Sequence, residues 1–298
     1  MAQITLLDGG MGQELVKRSG DAPTPLWATR VMIDHPGMVQ AIHADYFDAG
    51  ATIATLNTYA IHHDRLVDFG LDDRFRDLHM NAVAEARAAR DAHGAGRLAA
   101  SLGPLIASYR TDVDLPVDEA AARFAEIARL LAPHVDLFLI ETQATLAQVE
   151  GALKGATQGG RPVWLSITVG DRDGTRLRSG QPIADLGPLI EEYRPAAVLA
   201  NCSAPEAMGA ALAELARFGL PFGAYANGFT MITEDFLKDR PTVDALDHRH
   251  DLTPERYADF ALGWVENGAT IVGGCCEVGP EHIAELARRL KAAGHTVV

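Results

Sequence analysis

The chain has 298 residues, 48% of them hydrophobic and 22% charged, with a formal net charge of −14. That length accommodates one large core or two modest ones. The negative balance argues against a nucleic-acid partner or an anionic membrane surface, and no apolar run approaches the roughly 18 residues of a membrane span.

At the N-terminus, residues 1–8 carry neither a basic start nor a long apolar core, so no secretory signal is expected. A first strand is expected at 4–7, followed by a long loop over 8–36 and a helix over 38–49. Further apolar, β-branched runs predict strands at 52–56, 98–102, 137–140, 163–168, 197–200, 222–225 and 270–272. Helical stripes lie between them. Phe124, Ile127 and Leu131 share one face, as do Leu146, Val149 and Leu153. Tyr257, Phe260, Ala261 and Trp264 form another, and Ile283, Leu286 and Leu290 the last. Thr145 with Gln148 and Ser203 with Glu206 have capping-box spacing, and Pro254 and Pro280 suit first helical turns.

Strands alternating with helices imply a parallel sheet with right-handed crossovers. Eight such units predict a (β/α)8 TIM barrel with long loops after strands 1 and 7, the latter over 227–253. An open doubly wound sheet is the alternative, but no G-x-G-x-x-G follows the first strand. No linker or low-complexity stretch divides the chain, so a single domain over 1–298 is expected.

The residues ending these strands would ring the C-terminal mouth, where barrel active sites lie. They are Asp8, Asn57, Glu141, Asn201, Cys202, Asn227, Cys275 and Cys276. The three cysteines are an odd number with two adjacent, a poor disulfide framework. Free thiols or metal ligands in a reducing cytoplasm fit better. Three thiolates make a soft site suited to zinc, and the fourth position would be open to a substrate sulfur. Adjacent strand residues point to opposite faces, so Cys275 and Cys276 can share one metal only if Gly273 and Gly274 let the chain leave strand geometry. Asp8 and Glu141 are placed to receive the ammonium of a thiol-bearing amino acid, with Gly9, Gly10 and Gly12 offering backbone N–H groups to its carboxylate. Trp27, Tyr59 and Tyr109 are candidate aromatic contacts for a cationic substrate group. His248 and His250 read as a solvated loop and His43 as structural, while His62 and His63 lie near the rim without an assigned role.

These motifs together resemble the homocysteine S-methyltransferase family, over nearly the whole chain. The match runs through Asp8-Gly9-Gly10-Met11-Gly12-Gln13-Glu14-Leu15, Ala49-Gly50-Ala51, Asn57-Thr58-Tyr59, Gly103-Pro104 and Glu141-Thr142. It ends with Asn201-Cys202, Tyr225-Ala226-Asn227-Gly228 and Gly273-Gly274-Cys275-Cys276. The resemblance implies a (β/α)8 barrel with zinc on Cys202, Cys275 and Cys276. It implies homocysteine contacts at Asp8 and Glu141, with Gly9 and Gly10 in the same turn, and Asn57 and Tyr59 facing substrate. The implied reaction moves a methyl group from a small onium donor (S-methylmethionine, S-adenosylmethionine or betaine) to homocysteine, forming methionine. A different thiol acceptor, or a non-catalytic zinc- or thiol-sensing barrel, is the alternative. Two positions depart from the family pattern: Ala226, where proline is frequent, and Glu277, where glycine or arginine is common.

Overall fold

The computed structural model describes residues 1–233, 236–237 and 246–298. The expected strands form as β1 (Gln3–Leu6), β2 (Ile53–Thr55), β3 (Arg97–Leu102), β4 (Leu137–Gln143), β5 (Val163–Ile167), β6 (Ala197–Asn201), β7 (Phe222–Tyr225) and β8 (Ile271–Val272). Neighbours pair in parallel from β2 to β8, and β1 returns beside β8 with Thr5 opposite Ile271 and Leu6 opposite Val272. A bridge from Leu7 to Ile53 joins β1 to β2, and the Thr52 N–H donates to the Leu6 carbonyl at 2.7 Å. The ring closes there, which an open doubly wound sheet does not do. A short β9 (Thr296–Val297), not expected from the sequence, pairs with Gln3 and Ile4 of β1.

Helices connect the strands: α1 (Met11–Ser19), α2 (Trp27–Asp34), α3 (Met38–Asp48), α4 (His63–Leu66), α5 (Phe75–His93), α6 (Val117–Leu131), α7 (Leu146–Ala156), α8 (Gly187–Tyr193), α9 (Pro205–Leu215), α10 (Pro254–Glu266) and α11 (Pro280–Ala292). The expected loop over 8–36 is thus corrected, since most of it is α1 and α2. Of the expected loop over 227–253, residues 234–235 and 238–245 lie outside the described residues. Its two ends pair with each other: Phe229 bridges His248, and the Arg249 N–H donates to the Gly228 carbonyl.

Alternation along each strand divides the apolar residues between two layers. In β4, Leu137 and Leu139 point into the barrel with Ile53, Ala99, Trp164, Leu199 and Ile271. Phe138 and Ile140 face outward and pack with Phe124 and Val149 of the helical layer. The Thr145 hydroxyl caps α7 by accepting from the Gln148 N–H at 3.1 Å. Ser203 does not cap α9 as its spacing suggested. Its hydroxyl is taken by Val169, accepting from the N–H at 2.9 Å and donating to the carbonyl at 3.0 Å. Among the described residues no helix is long and apolar enough to cross a membrane.

Candidate active site

The mouth of the barrel is shaped first by a fault in β4. Its register against β5 shifts between Ile140 and Gln143, and Thr142 sits at φ +61°. A β-branched residue in the left-handed region is strained and must be held by its surroundings. Asn201, at the end of β6, holds it. Its Oδ1 accepts from the Thr142 N–H at 2.9 Å and from Ser166 Oγ at 2.8 Å, and its Nδ2 donates to Thr142 Oγ1 at 2.9 Å. The bulge presents Glu141 at the mouth, where Ser101 Oγ donates to its carboxylate. Burial pushes the Glu141 carboxyl up to about 7, with Ser101 and Tyr225 opposing and the negative charge of Cys202 adding to the rise. The Tyr225 hydroxyl is buried beside Glu141 and Ser166 without a well-formed hydrogen bond.

One residue past Asn201, Cys202 leaves the strand at φ +51°. Cys275 and Cys276 lie in the turn after β8. Five contacts fix that turn. The Gly274 N–H donates to the Asp8 carbonyl, Cys275 N–H to Ala226, Gly228 N–H to Cys276 and Gly10 N–H to Val278, while the Tyr257 hydroxyl donates to the Gly273 carbonyl at 2.6 Å. Gly273 and Gly274 do let the chain leave the strand, but through space rather than a left-handed backbone. A Cβ on Gly273 would sit 2.5 Å from Leu7 Cβ, and one on Gly274 would sit 2.2 Å from Val278 Cγ1.

The three sulfur atoms converge within 4.8 Å of one another, and none is in a disulfide. Cys202 Sγ is 3.7 Å from Cys276 Sγ and 2.7 Å from Cys275 Sγ. Thiolates on tetrahedral zinc at about 2.3 Å stand about 3.8 Å apart, so the first separation already matches and the second needs about 1 Å of spreading. The donor set fits zinc. Burial opposes ionisation of Cys202, but the thiols of Cys275 and Cys276 and the Tyr109 hydroxyl, 3.0 Å away, outweigh it and hold its thiol well below the usual range. Cys275 and Cys276 are pushed up, chiefly by those same contacts to Cys202.

Asp8 lies across the mouth, its Oδ2 accepting from the Thr55 N–H at 2.6 Å and its Oδ1 from Thr55 Oγ1 at 2.7 Å. Burial raises its carboxyl to about 7 against the lowering effect of Thr55, and Glu141 adds to the rise. Behind it, His43 on α3 is fully buried with both ring nitrogens unpartnered, Nδ1 standing 4.0 Å from Asp8 Oδ2. Burial lowers His43 to about 3, so it is a neutral ring.

One pocket is lined by Asp8, Gly9, Gly10, Asn57, Tyr59, Glu141, Cys202, Cys275 and Cys276, with Trp27, Tyr109, Tyr225 and Phe236 completing an aromatic wall. Most of the residues picked from strand ends are thus brought together. Asn201 and Asn227 are not among the lining. Asn201 clamps the β4 bulge, and Asn227 Oδ1 accepts from the Phe229 N–H within its own loop. Asn57 lines the pocket while its amide donates to the Ala28 carbonyl at 3.3 Å. The Gly10 N–H is already used by Val278. His62 is buried edge-on against Phe124 and His63 pairs with Asp72 outside, so neither reaches the rim. Thr55 and Ser101, which receive the two carboxylates, were not picked out by the sequence reading. Both lie within strands and carry no local signal.

A family model described as homocysteine S-methyltransferase matches residues 5–290. The homocysteine S-methyltransferase of Escherichia coli is 30% identical over 96% of this chain and 95% of its own length. The homocysteine S-methyltransferase YbgG of Bacillus subtilis is 26% identical over 95% and 93%. The crystal structure of the homocysteine methyltransferase MmuM from Escherichia coli in its metallated form superposes with a TM-score of 0.80 at 28% identity, covering 96% of both chains.

Proposed function

The chain belongs to the homocysteine S-methyltransferase family, and from that premise we propose that it methylates the sulfur of homocysteine to form methionine, using a small onium donor. The observation that carries this reading is the convergence of Cys202, Cys275 and Cys276 beside two buried carboxylates in one pocket. The three cysteines would hold zinc, and bound zinc supplies a coordination place that keeps the acceptor's sulfur ionised near neutral pH.

The chain's own groups do the rest. Asp8 and Glu141 bind the ammonium of homocysteine, and that cation restores both carboxylates to the charged form that burial opposes. Asn57, Tyr59 and the Gly9–Gly10 turn bound the acceptor, while Asn201 acts from behind by fixing Glu141. The turn after β8 fixes the sulfur, and the aromatic wall holds the donor's methyl group in line with it. A new C–S bond forms as the bond from methyl to the onium centre breaks, and the donor leaves neutral. The acidic lining and aromatic rings favour a cationic donor. We place the reaction in the cytoplasm and assign the whole chain to one domain.

Zinc content of the purified protein, with and without Cys276→Ala, tests the site. Methionine formation from homocysteine with S-methylmethionine, S-adenosylmethionine and betaine tests the reaction. The expected result is one zinc per chain, lost in the variant, and turnover with at least one donor. Zinc without turnover on any donor overturns the reading in favour of a metal-binding barrel.

A further inference from the structure

Glu277 follows Cys276 and sits at φ +64°, a conformation that favours glycine. Its carboxylate makes two contacts across the mouth of the barrel. One oxygen accepts from Gln13 Nε2 on α1, and the other lies 3.0 Å from His248 Nδ1. Gln13 in turn uses its amide oxygen to accept from the Trp27 indole N–H at 3.0 Å. A single chain of polar contacts, two hydrogen bonds and the His248–Glu277 pair, thus runs from the segment after β7, past the cysteine turn, to an aromatic ring in the pocket wall.

Of these four residues only Trp27 lines the pocket. Its own backbone is left-handed, at φ +48°. The indole lies against Gly12, where a Cβ would stand 2.4 Å from Cζ2, and meets Tyr59 edge-on at 6.0 Å. Besides this packing, the indole N–H bond to Gln13 orients the ring, and Gln13 is bonded in turn to Glu277.

We propose that Glu277 is a positioning residue that ties the segments after β1 and β7 together and so sets the Trp27 ring against the onium group of the methyl donor. This rests on the reading of the pocket given above. A ring displaced from the cation loses its electrostatic attraction while the sulfur site is untouched.

The test uses Glu277→Gly and Glu277→Gln in the full-length, zinc-loaded protein. Glycine suits the left-handed backbone and deletes the link. Glutamine keeps an oxygen for Gln13 and offers an N–H to His248. Donor and homocysteine are varied separately, and acrylamide quenching of tryptophan fluorescence is recorded. Trp164 and Trp264 are only 8% and 3% exposed, so quenching reports Trp27. For Glu277→Gly the expected result is unchanged zinc content, a donor KM raised about tenfold with kcat and homocysteine KM within about twofold, and stronger quenching. Glu277→Gln restores all of these. Trp27→Phe combined with Glu277→Gly costs no more than the larger single effect. Additive effects, lost zinc, or a donor KM and quenching that do not move would each overturn the proposal. If the parent protein turns over no onium donor, the functional reading fails separately. The quenching arm then still decides whether Glu277 holds Trp27.

Discussion

Asp8→Asn should stabilise the metal-free protein at alkaline pH while abolishing homocysteine binding. The Asp8 carboxyl ionises near 3.8 in the unfolded chain and near 7 in the fold, raised chiefly by burial. Its contribution is therefore fully present below about pH 4 and is lost as pH rises through 7, because the folded state retains a proton that the unfolded state has released. The rise from 3.8 to about 7 corresponds to about 4 kcal/mol once the carboxyl is ionised in both states, and about 2–3 kcal/mol of that falls between pH 5 and pH 8. Asparagine has nearly the same shape. Its oxygen still accepts from the Thr55 N–H, its NH2 can donate to Thr55 Oγ1, and it cannot ionise. Urea denaturation of both proteins in chelator, at several pH values, gives the difference directly. Glu141 and the cysteines titrate in both proteins and largely cancel. The variant should gain on the parent steadily from pH 5 to pH 8. A stability difference that is flat with pH, or one that runs against the variant at pH 8, would refute the claim that Asp8 is held as a buried acid awaiting a cation.

Two further substitutions probe the supports of the site. Asn201→Ala removes three buried hydrogen bonds around Thr142; it should cost about 3 kcal/mol in denaturant titration and, by releasing Glu141, lower kcat/KM by about 100-fold. An active variant of unchanged stability would show that the bulge holds itself. Tyr257→Phe deletes the 2.6 Å bond to the Gly273 carbonyl; zinc affinity in a chelator competition should fall at least about tenfold, and parental affinity would mean that the other four contacts suffice.

The strands were legible because each is a short apolar, β-branched run, and a closed parallel barrel is the simplest way to bury eight of them. The cysteine trio was legible for the same reason, since residues at strand ends share one mouth whatever their separation in sequence. Helices α1 and α2 were hidden. Gly10 and Gly12 flank or interrupt the first, and Pro23 and Pro25 precede the second, so breaker residues masked the buried spacing of Met11 and Leu15 and of Ala28, Val31 and Met32. Ser203 misled because a capping spacing says nothing of Val169, a competitor 34 residues away.

What stayed illegible shares one physical property. The left-handed backbones at Thr142, Cys202 and Glu277 belong to residue types that avoid that region, so propensity argues against the conformations that build the site. Each is imposed or used by a distant partner: Asn201 for Thr142, the β7 carbonyl of Tyr225 for the Cys202 N–H, and Gln13 with His248 for Glu277. Single-sequence reasoning reaches a ligand through its chemistry, but it reaches a strained backbone only through the contact that holds it. The conformations that aim Glu141 and the cysteines into the pocket are therefore products of barrel closure, and destabilising that closure should disperse the site before it melts the helices.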